Sequence, residues 1–432
     1  MNIPELFALF QSHPVICTDT RKLTKDCLYF ALKGENFNGN AFAELALKQG
    51  AAFAIIDERE YMIHEHCILV EDVLSSLQQL ATYHRKKLNI PLIAIVGSNG
   101  KTTSKELISS VLSTHFNILS TPGNFNNHIG LPLTLLMLNP NHQIAVIEMG
   151  ANHIGENAFL CELAMPSHGL ITNNGKDHLE GFGSMEGVEK SNRELYDYLL
   201  KNEGTAFVNA NDADLILMAK KLVKKVTYAA NFGSTSTIAD YIGYAQKLQP
   251  QIEFSIGDDT GQIISSHLSG DYNFDNIMAA VCIGLHFGLN TYQIKEGIES
   301  YKPQNLRSQL IEKEHNRIFL DAYNANPSSM QASIRNFAAM PGENKLLILG
   351  DMYELGSYEA TEHQAITDYC KKLNLEQVIL IGPAFGKTLC DYEKHEHINT
   401  LTAQLEKAPF NNQFVFIKGS RGMKLETLLD WL

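Results

Sequence analysis

The chain has 432 residues, 44% hydrophobic and 19% charged, with a formal net charge of −13. That length exceeds one ordinary core, so roughly two to four domains are expected, and the acidic balance, with no offsetting cluster of Lys and Arg, excludes a nucleic-acid surface. Seven scattered cysteines form no Cys-x-x-Cys pair, which argues against disulfides and structural zinc.

The N-terminus lacks a basic region followed by a long apolar stretch, and no apolar run approaches a membrane span. A cytoplasmic setting without membrane insertion is the expectation. Residues 1–86 alternate short apolar runs with helical patterns: Cys27-Leu28-Tyr29-Phe30-Ala31-Leu32, a helix near 41–49, then Ala52-Phe53-Ala54-Ile55-Ile56. This reads as a small α/β domain. Two polar stretches, Thr18-Asp19-Thr20-Arg21 and Lys33-Gly34-Glu35-Asn36-Phe37-Asn38-Gly39-Asn40, taken alone read as ordinary turns. A helix near 71–88 ends in His84-Arg85-Lys86-Lys87, cations that suit a helix C-terminus.

Residues 87–302 form the second expected domain. It opens on Leu92-Ile93-Ala94-Ile95-Val96-Gly97-Ser98-Asn99-Gly100-Lys101-Thr102-Thr103, after which Leu107, Ile108, Val111 and Leu112 recur at helical spacing. This is strand, phosphate loop, helix: glycines let backbone N–H groups close around a polyphosphate, and the helix N-terminus adds partial positive charge. Lys101 can reach the terminal phosphates and Thr102 can ligate magnesium. The usual spacing of such loops fails, because Ile95 stands where the first glycine belongs. A plain strand-to-helix turn would use Gly and Asn but leaves Gly-Lys-Thr-Thr unexplained. Further apolar runs at 144–147, 170–172 and 206–208 suggest a doubly wound parallel sheet. Residues 251–256 and 262–264, joined by Gly257-Asp258-Asp259-Thr260-Gly261, read as an antiparallel hairpin. Residues 303–432 carry four apolar strands, at 318–320, 346–349, 378–381 and 414–417, each ending in a polar or glycine-bearing stretch where open α/β sheets bind ligands.

Polar clusters follow several of these strands. Glu148, directly after 144–147, is placed to hold magnesium beside a phosphate loop or to act as a capping residue. Thr172-Asn173-Asn174-Gly175-Lys176-Asp177-His178-Leu179-Glu180 crowds polar groups, with His178 a ligand or phosphate contact. In Gly270-Asp271-Tyr272-Asn273-Phe274-Asp275-Asn276, Asn273 caps the following helix and Asn276 faces outward toward a purine edge. Asp321-Ala322-Tyr323-Asn324-Ala325-Asn326-Pro327 ends a strand, and Arg307 supplies a cation to developing phosphate charge.

These stretches resemble the Mur ligase family of ATP-dependent amide-forming enzymes. Gly97-Ser98-Asn99-Gly100-Lys101-Thr102-Thr103 matches its short phosphate-loop signature, which accounts for the spacing. Thr121-Pro122-Gly123-Asn124-Phe125-Asn126-Asn127-His128, Glu148-Met149-Gly150-Ala151-Asn152-His153, His178-Leu179-Glu180-Gly181-Phe182-Gly183-Ser184, Leu349-Gly350-Asp351-Met352-Tyr353-Glu354-Leu355-Gly356 and Lys418-Gly419-Ser420-Arg421-Gly422-Met423 follow in family order. Asp-Ala-Tyr-Asn-Ala-Asn-Pro is similar to the branch that adds a dipeptide, D-alanyl-D-alanine, to UDP-MurNAc-tripeptide. The resemblance implies three α/β domains: a small N-terminal domain binding the UDP-sugar (1–86), a central P-loop ATPase domain with a parallel sheet (87–302), and a Rossmann-like C-terminal domain that binds the dipeptide and closes over ATP (303–432).

By the same resemblance, the loop from Gly97 to Thr103 binds ATP. Lys101 contacts the β- and γ-phosphates, Thr102 and Glu148 hold magnesium, and His178 lies near a second magnesium. Asn276, Arg307 and Asp321 match nucleotide-binding or closure residues, with Tyr323 and Asn324 near the adenine or the domain interface. Thr20, Arg21, Gly39, Asn40, Asn126, Asn127 and Asn326 fall on the substrate side. Many members carry a carbamylated lysine after the Gly-Phe-Gly-Ser loop. Asn192 stands there in this chain, and Lys190, about 200° round a helix, is a poor substitute. The expected chemistry is attack of the tripeptide carboxylate on ATP, an acyl phosphate, then attack by the dipeptide amine, with Lys101, magnesium and Arg307 supplying positive charge and His178 one candidate for the base. A monomer is the family expectation. The rival readings are a sibling amino-acid ligase, a folylpolyglutamate synthase, and an inactive nucleotide-binding scaffold.

Overall fold

A computed structural model describes residues 1–233, 237–257 and 262–432. The chain forms two compact units whose boundaries interleave along the sequence. One comprises 1–94, 116–151 and 156–168; the other comprises 95–115, 152–155 and 169–432. The mixed α/β class expected from the sequence holds in both.

The first unit carries a four-stranded sheet in the order Ile16–Cys17, Leu28–Phe30, Phe53–Ile56, Cys67–Leu69, all parallel. Cys17, Tyr29, Ala54, Ile56 and Cys67 share one core cluster with Ala43 and Ala46 of the helix Ala43–Lys48. Every second residue of a strand points to one face, so short alternating runs suffice to build that core. The helix Val73–Lys87 is capped by Asp72, whose Oδ1 accepts from Ser75 N at 2.6 Å. Strand Ile144–Glu148 pairs in parallel with Ile118–Ser120.

In the second unit, Thr205–Asn209, Lys224–Asn231 and Tyr241–Lys247 run parallel in sequence, and Glu253–Ile256 then turns antiparallel. Glu253–Ile256 pairs antiparallel with Ile264–Ser265, as the hairpin reading expected; the turn 258–261 lies outside the described residues. Tyr241–Lys247 escapes a hydrophobicity reading because it has no apolar run. Its Gly243 permits close helix packing, since a Cβ there would sit 2.2 Å from Met278 Sδ.

The C-terminal part of this unit is a six-stranded sheet whose parallel strands include Asn316–Leu320, Phe414–Lys418, Lys345–Gly350 and Val378–Ile381. Strand alternation splits its core in two. Ile318, Leu320, Ile348, Val415 and Ile417 pack on one face, and Phe319, Leu347, Leu349 and Phe416 pack on the other. Gln309–Lys313, an alternately exposed strand not expected from the sequence, pairs antiparallel with Asn316–Leu320. All seven cysteines are free.

Candidate active site

The strand Leu92–Val96 is buried along its whole length. It delivers the chain into Gly97 and Gly100, whose φ values of 127° and 80° lie in the region that favours glycine. A Cβ on Gly97 would meet Thr172 Oγ1 at 2.2 Å, and one on Gly100 would meet Asn276 Oδ1 at 2.5 Å. The helix Lys101–Ser113 then starts from Gly100 with no side-chain cap. Its first N–H groups therefore receive no capping side chain, the condition that suits a phosphate.

The loop is held from below by the residues after the strand His168–Ile171. Ser98 N donates to Asn173 O at 3.0 Å, and Asn99 N donates to Asn173 Oδ1 at 3.1 Å. Asn99 O accepts from Thr172 Oγ1 at 2.7 Å and from Asn173 Nδ2 at 3.0 Å. Ser98 Oγ takes the Gly175 N–H at 2.9 Å. Thr102 and Thr103 are buried in the first helical turn. The Lys101 ammonium donates to Gly97 O and Ser98 O and lies 3.9 Å from Asp177 Oδ2.

Three consecutive residues of the next loop each engage a different later element. Lys176 Nζ is 2.5 Å from Glu362 Oε1 on the helix Glu359–Lys372. Asp177 Oδ1 accepts from Asn326 Nδ2 at 3.1 Å. His178, at a left-handed φ of 45°, places Nδ1 2.5 Å from Glu354 Oε2. Burial pulls the His178 ring down, but the Glu354 hydrogen bond and the Asp177 and Glu354 charges outweigh it, so its pKa is raised. Among these partners, Asp177, Glu354 and Glu362 were not singled out by sequence reasoning. The crowding of polar residues around His178 and the Met352-Tyr353-Glu354-Leu355-Gly356 motif were the available signals.

Two expectations for the helix Asp271–His286 are corrected. Asn276 does not face outward: it is buried, its Oδ1 accepts from Ser104 Oγ at 3.0 Å and its Nδ2 donates to Asn273 Oδ1 at 3.2 Å. Tight packing at Gly100 draws it inward. Asn273 is not the cap, because the helix begins at Asp271 from Gly270, and Asn273 Nδ2 donates back to Ser269 O at 2.9 Å.

Arg307 lies over the Tyr323 ring, 3.8 Å from its centroid. It is carried there by a segment in which Asn305, Leu306 and Ser308 all have positive φ. Asp321 is committed within the fold: Oδ2 takes Lys418 Nζ at 2.6 Å and Ser333 Oγ at 2.8 Å, and Oδ1 takes Ser308 N at 3.2 Å. Asn324 is exposed, and its Oδ1 is 3.4 Å from Arg421 N. Asn326 caps the helix Pro327–Ala339 and reaches Asn99 Oδ1 at 2.9 Å. Asn192 is buried and donates to Asn174 Oδ1 at 2.8 Å, whereas Lys190 is exposed. The opposite exposures agree with their angular separation on a helix.

In the first unit, Glu148 Oε1 accepts from Asn126 Nδ2 at 3.0 Å, and its buried Oε2 has no hydrogen-bond partner. Asn127 Oδ1 accepts from Gly130 N at 2.9 Å at the start of the helix Gly130–Leu136. Thr20 opens the turn Thr20–Lys22, and exposed Arg21 pairs with Asp19 at 2.8 Å. That pairing, by hydrogen bonds foremost, holds the Asp19 carboxyl down to about 2. Gly39 and Asn40 are buried. Asn40 Nδ2 donates to Asn38 Oδ1 at 2.9 Å and Asp57 Oδ1 at 2.8 Å, and its Oδ1 accepts from Asp57 N at 3.0 Å. Its side chain is thus spent on organising this loop.

Family models for the Mur ligase middle domain and for the Mur ligase, glutamate ligase domain match residues 95–284 and 306–421. The UDP-N-acetylmuramoyl-tripeptide–D-alanyl-D-alanine ligase of Escherichia coli is 34% identical over 426 residues, covering 96% of this chain and 92% of that protein. The chain belongs to the Mur ligase family. Among solved Mur ligases, a MurF crystal structure from Acinetobacter baumannii superposes with a TM-score of 0.85 at 27% identity, covering 98% of this chain and 97% of that one. The Thermotoga maritima MurF ligase in complex with ADP gives a TM-score of 0.83 at 25% identity, with 96% of each chain covered. The resemblance of the sequence motifs to Mur ligases is therefore borne out along nearly the whole chain.

Proposed function

We propose that this Mur ligase joins D-alanyl-D-alanine to UDP-MurNAc-tripeptide at the expense of ATP, giving UDP-MurNAc-pentapeptide, ADP and phosphate for peptidoglycan synthesis. The observation that carries the reading is near-full-length similarity to a ligase named for that reaction, combined with an uncapped helix start at Gly100 and an ammonium, Lys101, on the same loop. The tripeptide carboxylate attacks the γ-phosphorus and ADP leaves. The dipeptide amine then attacks the acyl carbon, its proton is lost, and phosphate leaves. Two anions must meet, so positioning and charge neutralisation dominate.

Lys101 faces the phosphates, and Arg307, held on Tyr323, supplies a second cation. Magnesium, when bound, neutralises phosphate oxygens so that a carboxylate can approach. Thr102 and Glu148 would hold one such ion, and His178 would lie near a second. Glu148 fits that role because a buried carboxylate oxygen without a partner is costly unless a cation satisfies it. Residues 1–86 serve the UDP-sugar, 87–302 the nucleotide and 303–432 the dipeptide, in the cytoplasm.

The test is ADP release with UDP-tripeptide, D-alanyl-D-alanine and ATP, compared with each substrate omitted. Release that needs all three supports the ligase. Release without dipeptide identifies an uncoupled ATPase, and no ATP consumption identifies a scaffold. Preference for a single amino acid over the dipeptide would identify a sibling ligase.

A further inference from the structure

Asn326 does more than its helix requires. Capping Pro327–Ala339 uses only its Oδ1, which accepts from Ser329 N at 2.8 Å. Asp or Ser would cap as well as Asn. The amide nitrogen is unexplained by the helix, yet it is fully employed: it donates to Asn99 Oδ1 at 2.9 Å and to Asp177 Oδ1 at 3.1 Å. Asn326 and Asp177 are buried, 8% and 7% exposed, and Asn99 is half-buried. Without those amide hydrogens, Asp177 Oδ1 would lose a buried donor and Asn99 Oδ1 a part-buried one.

The second oxygen of Asp177 is the one that faces Lys101. Its Oδ2 stands 3.9 Å from Nζ, beyond hydrogen-bonding distance but close enough to attract. A carboxylate free to rotate would close that gap and form a full ion pair with the ammonium. It would then compete with phosphate for the same charge.

We propose that Asn326 is a positioning residue for the ligation. Seating the cap of Pro327–Ala339 on the phosphate loop delivers two amide hydrogens that fix Asn99 and hold the Asp177 carboxylate away from Lys101. The ammonium stays available to ATP only while that cap is seated. Nucleotide activation is thereby coupled to the element that follows the Asp-Ala-Tyr-Asn-Ala-Asn stretch. This inference rests on the ligase reading.

The test compares wild type, Asn326→Asp, and the double variant Asn326→Asp/Asp177→Asn, with UDP-tripeptide, dipeptide and ATP. Asp keeps the helix cap but sets a second buried carboxylate against Asp177, so the melting temperature should fall in this variant and be restored in the double variant. We expect kcat to fall between about tenfold and a hundredfold, with a raised KM for ATP and an unchanged KM for the UDP-substrate. The double variant exchanges donor and acceptor across the same contact and removes the competing charge; it should recover most of kcat. Asn326→Ser, which caps but cannot reach the loop, should behave like Asn326→Asp and serves if the latter folds poorly. Turnover of Asn326→Asp or Asn326→Ser within about twofold of wild type would overturn the proposal, as would a double variant no faster than Asn326→Asp. Failure of wild type itself to require dipeptide would count against the ligase reading instead.

Discussion

Asp321 and Lys418 stand 97 positions apart in sequence and meet as an ion pair 2.6 Å long, with the lysine side chain 3% exposed. Lys418 Nζ also donates to Asn324 O at 3.2 Å, so one buried ammonium organises the whole turn that carries Tyr323 and Asn324. Replacing Lys418 by Met leaves the Asp321 carboxylate without its cation. We expect a loss of about 3 kcal/mol in urea unfolding, because breaking one side of a buried pair strands a charge. A loss below about 1 kcal/mol, the range of exposed pairs, would show that Asp321 is satisfied by Ser333 and Ser308 alone.

Lys101→Ala removes the ammonium of the phosphate loop. Ligation should fall by roughly a thousandfold or more, as for loss of a preorganised charge at a transferring group. Its contacts with Gly97 O and Ser98 O are surplus to the loop's own scaffold, so circular dichroism and the melting curve should match wild type. Near-normal turnover would defeat the phosphate-loop assignment.

Gly100→Ala places a methyl group where φ is +80° and Asn276 Oδ1 would be 2.5 Å away. Backbone strain of this kind costs about 1–3 kcal/mol. The helix start must also shift, so the KM for ATP should rise along with the loss of stability. An unchanged KM together with unchanged stability would mean that the loop is not held by Asn276.

Asp275 offers a pH test. Burial raises its carboxyl from 3.8 to about 7, against an opposing hydrogen bond from Asn209 and with added repulsion from Asp271 and Asp212. Its Oδ1 is buried without a partner. Between 3.8 and about 7 the unfolded chain has released a proton that the folded chain keeps, so stability falls as pH rises through that window and levels off above it. Asp275→Asn should remove this decline. The variant should gain on the order of 2 kcal/mol relative to wild type at about pH 8 and nothing at about pH 4, read from urea unfolding at the two values. A pH-independent difference would refute the assignment.

Much of the site was legible in the chain because its signals are local. A phosphate loop needs its glycines, lysine and hydroxyls within one strand-to-helix turn, and the apolar runs at 92–96, 144–147 and 414–417 announce strands through continuous burial. Strands such as Tyr241–Lys247 and Gln309–Lys313 were not legible, because partly exposed strands lack that continuity.

Sequence by itself determined the α/β class, the family and the strand, glycine turn and helix start from Leu92 to Ser113. Tertiary structure alone decided that Asn276 turns inward to Ser104, that Asn40 is spent on Asp57, and that Lys176, Asp177 and His178 reach Glu362, Asn326 and Glu354. The physical reason is range. Backbone geometry and periodicity are written within a few residues, whereas the partner of a buried polar group is whichever donor or acceptor the fold brings within about 3 Å of it.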